Sequence, residues 1–100
     1  MSWATQYIKK LLEGESVQFR PGGSSMVPKI KSGQLCTVEP IQEYDKLEKG
    51  DIVLCKVNGR QFLHLIRAIK EGRFQIANNK GFINGWVGPA QIFGKLTRVE

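Results

Sequence analysis

Two residue types in this chain could be combined as a nucleophile and its base, and they sit on very different stretches. The first is the serine pair of "RPGGSSMVPKI", residues 20–30, where Gly22 and Gly23 precede Ser24 and Ser25 and Pro28 follows Met26 and Val27. A serine hydroxyl is a weak nucleophile at neutral pH and needs a positioned base. The second is His64, the single histidine of the chain, in "RQFLHLIRAIK". Imidazole is the side chain whose ordinary titration lies nearest neutrality, so it is the natural acceptor of a hydroxyl proton. A glycine pair before a serine, with proline fixing the backbone after it, is either a polar turn or a loop that displays one hydroxyl.

The elements that must position these groups follow from periodicity. "SWATQYIKKLLEG" places Trp3, Tyr7, Ile8, Leu11 and Leu12 at helical spacing, with Ser2 able to cap the start and Gly14 able to end it. Residues 1–14 are therefore read as an amphipathic N-terminal helix, its apolar face packed on the domain or laid on a membrane surface beside Lys9 and Lys10. From residue 15 to residue 100 the pattern changes to short apolar or alternating runs separated by turn residues, which predicts a mainly β core of about six strands. The expected strands are 16–20, 34–40, 51–57, 60–70, 73–77 and 91–99. Asn58-Gly59 and the "KEGR" stretch at 70–73 supply hairpin turns on both sides of the His64 strand, which places that strand inside a sheet. The faces of this strand are both largely apolar, so His64 is expected to be desolvated and neutral. Residues 78–90, rich in Asn, Gly and Pro, read as a structured loop, with Trp86 packing on the core.

Composition narrows the partners. One hundred residues, 41% apolar and 24% charged, fit one compact domain. The net charge of +6 is spread along the chain without a basic run, a bias toward weak contact with nucleic acid or a membrane surface. Helix-turn-helix, zinc and aromatic-platform patterns are absent from the sequence. Cys36 and Cys55 lie in apolar strand-like runs without the close spacing of a metal or redox motif, which predicts two buried thiols, no metal and no cofactor. No apolar stretch is long enough to span a bilayer and no signal peptide is evident, so the expected compartment is the cytoplasm.

Several pieces occur in a telling order: Gly23-Ser24-Ser25-Met26-Val27-Pro28, then Gly50-Asp51-Ile52-Val53, then the His64 strand, then "NNKG", then Ile92-Phe93-Gly94-Lys95. From about residue 16 onward the succession resembles the superfamily of signal peptidases and LexA-like self-cleaving repressors, serine peptidases with a small, mostly β catalytic core. The resemblance implies that Ser25 is the nucleophile, with Met26 and Pro28 anchoring its loop. It places the general base on His64, although Leu65 follows where one branch of the family has arginine. Registering on Arg67 instead puts Ile66 at the base position, and Lys56 is the alternative lysine base. The orienting group falls on Asn78, where the histidine branch has aspartate. Gly22 and Gly23 would let the backbone amides around Ser25 hold an oxyanion, with Ser24 pointing away. The implied function is hydrolysis of an extended peptide or protein substrate paired to a strand edge. The alternative is a catalytically inactive relative acting as a binding or regulatory module for protein or nucleic acid. A bare catalytic-type domain with a helical extension would suit a small phage or mobile-element protein.

Overall fold

The structure is a computed structural model that describes residues 3–100. Its one α-helix, α1, spans Thr5–Leu12, and Ser2, expected to cap it, lies outside the described residues. Ala4, Ile8 and Leu11 form the buried stripe of the helix and lie against the sheet. The apolar face therefore packs on the domain, one of the two placements the sequence left open, and Leu12 is left 71% exposed beyond it.

Seven strands follow: β1 (Val17–Phe19), β2 (Cys36–Pro40), β3 (Ile52–Val57), β4 (Arg60–Lys70), β5 (Arg73–Ala77), β6 (Ile83–Val87) and β7 (Ile92–Val99). They form one antiparallel sheet in the order β1-β2-β7-β3-β4-β5-β6. The protein is thus mainly β with one short N-terminal helix. The β3–β4 and β4–β5 turns both carry positive φ at their two central residues, Asn58 (49°) and Gly59 (80°), then Glu71 (52°) and Gly72 (74°). That pairing of left-handed residues matches the right-handed twist of the flanking strands and gives tight two-residue hairpins. β4 consequently has β3 on one side and β5 on the other.

The sheet separates two apolar clusters, which is why its central strands read as continuous apolar runs. On one face Ile52, Leu54 and Leu63 join α1, Val17, Phe19, Met26, Ile30, Cys36 and Val38. On the other, Val53, Cys55, Val57 and Ile66 meet Phe74, Ile76, Val87 and Ile92.

One strand was not expected. β6 lies within residues 78–90, where "INGWV" contains an Asn-Gly pair that reads as a turn. Pairing with β5 overrides that local preference, and the pairing is irregular: Ile76 faces Gly85 while Ala77 faces Ile83. Asn84 is therefore the extra residue of a β-bulge. Gly85 sits beside it at φ 146°, with Val57 Cγ1 3.1 Å from where a Cβ would stand. Trp86, expected to pack on the core, is 41% exposed, and Val87 is the residue that β6 buries.

Candidate active site

The loop between β1 and β2 carries the serines. Gly23 takes φ 90°, a conformation that L side chains rarely adopt, and it turns the chain immediately before Ser24. Met26 is the anchor of the loop: its side chain is 5% exposed in the α1 cluster. The Val27-Pro28 peptide is cis. Burying Met26 sets the faces of its neighbours. Ser25 is half-buried and turned into a cleft, while Ser24 is exposed and its hydroxyl accepts a hydrogen bond from Lys80 Nζ at 3.3 Å.

His64 lies on β4 and is 8% exposed, its ring stacked on Phe62 at 4.8 Å between centroids. Its Nε2 stands 3.3 Å from Ser25 Oγ. Its Nδ1 lies 2.7 Å from Oδ1 of Asn84. Since Oδ1 accepts, Nδ1 carries the proton, and Nε2 is left as a lone-pair acceptor facing the hydroxyl. Burial pushes the imidazole below its ordinary pKa of 6.5, and the hydrogen bond to Asn84 offsets part of that shift. The ring is therefore neutral at neutral pH, the form able to take a proton.

Asn78, expected to orient the imidazole, does not do so. In register it would follow the Leu65–Ala77 pair and lie opposite His64, but its side chain is committed locally: Oδ1 accepts the Lys80 and Phe82 amides, both at 2.9 Å. Asn78 braces the β5–β6 turn, and the carboxamide on the histidine comes from the bulge six residues on. A bulge turns a side chain out of the regular alternation, and this one directs Asn84 at the ring. The signal available in the sequence was Gly85 inside an otherwise strand-compatible run, which marks bulges and close approaches.

The neighbouring Asn79 was not singled out from the sequence. Its backbone amide donates to Ser25 O at 2.9 Å and its Nδ2 donates to Val27 O at 2.9 Å. The β5–β6 turn thus holds the serine loop at two points on either side of Met26. Among the described residues, the amides of Gly23, Ser24 and Ser25 have no backbone acceptor.

Lys56 is exposed on β3 opposite Gln61 and does not line the cleft. Among the described residues, no cluster of three His, Cys, Asp or Glu side chains can hold a metal ion. Cys36 and Cys55 are both buried and free. Burial raises the pKa of both thiols and pushes Cys55 up to about 12. No helix among the described residues is long and apolar enough to cross a membrane.

Ser25 and His64 line an open cleft of about 510 Å³. It is also lined by the β1 exit (Phe19, Arg20, Pro21), the start of β4 (Gln61, Phe62, Leu63) and Trp3 and Tyr7 of the N-terminal segment. Compared with described protein families and with curated proteins, the chain matches none.

Proposed function

We propose that the protein is a serine peptidase in which Ser25 is the nucleophile, His64 the general base and Asn84 the group that orients the base. The observation that carries this reading is the continuous polar relay from Asn84 through His64 to Ser25, in an open cleft and in the tautomer that base catalysis requires. Ser25 Oγ adds to a peptide carbonyl carbon while His64 Nε2 takes the hydroxyl proton. The carbonyl oxygen becomes an oxyanion beside the amides of Gly23 to Ser25. The tetrahedral adduct collapses, the C–N bond breaks, and the imidazolium gives its proton to the leaving amine. A water molecule then repeats the addition on the acyl-enzyme and releases Ser25. Asn84 fixes the ring orientation but, being neutral, does not stabilise the imidazolium as a carboxylate would, which favours modest turnover. The resemblance to the signal-peptidase and LexA-like peptidases agrees with these roles for Ser25 and His64.

The deciding experiment is labelling by a serine-directed fluorophosphonate. Labelling of the native chain that persists in Ser24→Ala and vanishes in Ser25→Ala is the expected result; equal labelling of both variants, or of neither, sinks the reading. The neutral partner on His64 supports a second reading, a binding module that uses the same cleft without cutting. Fluorophosphonate inertness together with peptide binding would decide for it.

A further inference from the structure

We propose that the N-terminal segment is part of the site: Trp3, just before α1, and Tyr7 on it, both held against Phe19, wall a compartment of the Ser25 cleft that takes a bulky apolar side chain of an extended peptide, with an acidic neighbour drawn to Arg20 and Lys31. The inference rests on the reading of this cleft as a peptide site.

The place for the peptide backbone comes from a mismatch in strand length. β4 pairs with β3 along Arg60 to Leu65, whereas β5 joins it only from Leu65 onward, opposite Ala77. Among the described residues, no strand pairs with the outer edge of β4 before Leu65. In a two-residue hairpin closed by Val57 and Arg60, alternate residues 60, 62 and 64 turn their peptide groups toward β3, and Gln61 and Leu63 turn theirs to that outer edge. Ile66 keeps the same alternation, its N–H and C=O bonding Asp51 O and Gly50 N on the β3 side at 2.8 Å each. Leu63 thus offers an unpaired N–H and C=O one residue from the base, where an extended chain can add.

The next outward-facing carbonyl is already taken. Gln61 O accepts the Trp3 indole N–H at 3.2 Å, Gln61 Oε1 accepts the Ala4 amide at 2.8 Å, and Gln61 Nε2 donates to Thr5 Oγ1 at 3.1 Å. The start of α1 is therefore fastened to one wall of the cleft. It is also packed on the other: Trp3 meets Phe19 edge-on at 5.4 Å, and Tyr7 stacks on Phe19 at 4.7 Å. These rings line the same cleft as Leu63 and Ser25, so a peptide added at Leu63 can set a neighbouring side chain against an aromatic surface. Trp3, at 47% exposed, has face to spare for it. Among the described residues, the charged groups lining the cleft are Arg20, whose Nη1 donates to Gly33 O at 2.8 Å, and Lys31; both are exposed and cationic, which favours a carboxylate on the adjoining residue.

The test uses the full chain carrying Ser25→Ala, so that binding is read without cutting. Fluorescent octapeptides that differ at one position (Ala, Leu, Phe or Trp), with Glu, Gln or Lys beside it, are titrated by anisotropy at low salt. The expected result is that Phe or Trp next to Glu binds on the order of tenfold tighter than Ala next to Lys. Adding Trp3→Ala should remove the preference for bulk, Trp3→Phe should keep most of it, and Lys31→Gln should weaken the preference for Glu. Absence of binding, or a preference that Trp3→Ala leaves unmoved, overturns the proposal. Failure of fluorophosphonate labelling alongside the expected binding pattern would remove the catalytic reading and leave the compartment standing. Cleavage by the native chain with a preference indifferent to Trp3 would do the reverse.

Discussion

His64 is held between a hydroxyl and a carboxamide, with no carboxylate on either nitrogen, and its titration is where that arrangement can be measured. Desolvation holds its pKa below 6.5 in the folded protein. As a base it must be neutral, so peptidase activity should persist at neutral pH and fall only as pH drops through that lowered value. The same shift favours folding where the ring is uncharged: its contribution to stability is complete above about 6.5 and is lost as pH falls through the folded value. Asn84→Leu removes the bond that raises the pKa, so the acidic limb of the pH–rate profile should move to lower pH while kcat drops on the order of a hundredfold. Asn84→Asp places a carboxylate on Nδ1 and should move the limb to higher pH. Profiles that coincide for the three proteins would show that Asn84 does not act on the base. Asn79 touches neither Ser25 Oγ nor His64 but fixes the loop between them. Asn79→Ala removes the bond to Val27 O, and kcat should fall by roughly an order of magnitude with the pH limb unmoved. A shifted limb would place its effect on His64 instead.

At the level of elements, what the sequence disclosed depended on how local the cause was. β4 was legible end to end because two glycine-bearing hairpin turns bracket it and its apolar residues alternate on both faces. α1 was legible because Ile8 and Leu11 recur at helical spacing and face the core. β6 was hidden because an Asn-Gly pair inside five residues argues for a turn, and only pairing with β5 makes those residues a strand. Missing β6 meant missing Asn84 and assigning its role to Asn78, which is nearer in register but engaged by its own turn. Ser25 and His64 were paired through the family resemblance, whose motifs do not involve β6, and the structure sets the two side chains 3.3 Å apart. β7 carries a different constraint. A Cβ on Gly94 would stand 2.6 Å from Val38 Cγ1, 2.9 Å from Glu39 O and 2.9 Å from Leu11 Cδ1. One of these is backbone of the paired strand and cannot swing aside, so α1 and β2 can both close on β7 only if this residue is glycine. Gly94→Ala should cost about 1 to 3 kcal/mol of stability in urea denaturation; an unchanged midpoint would show that the helix and β2 yield freely.

Over the whole molecule, the sheet divides the interior into two clusters with one thiol in each: Cys36 on the α1 side and Cys55 on the other. Burial keeps both protonated, so neither should react with a disulfide reagent in the native protein at pH 8 except through opening. Because β3 contributes Leu54 to one cluster and Val53 and Cys55 to the other, the two should open together. Mass-spectrometric thiol labelling across a urea series should therefore show both cysteines becoming reactive at one midpoint; earlier labelling of Cys36 would show that the helix-side core opens by itself. The bulge that places Asn84 also has a consequence in time. During synthesis Ser25 emerges 39 residues ahead of His64, and His64 emerges 20 residues ahead of Asn84. On the proposed reading, the relay from Asn84 through His64 to the hydroxyl is complete only once β6 has left the ribosome and paired with β5. If Ser25 is the nucleophile proposed above, a chain halted before β6 should react more slowly with a fluorophosphonate than the finished fold.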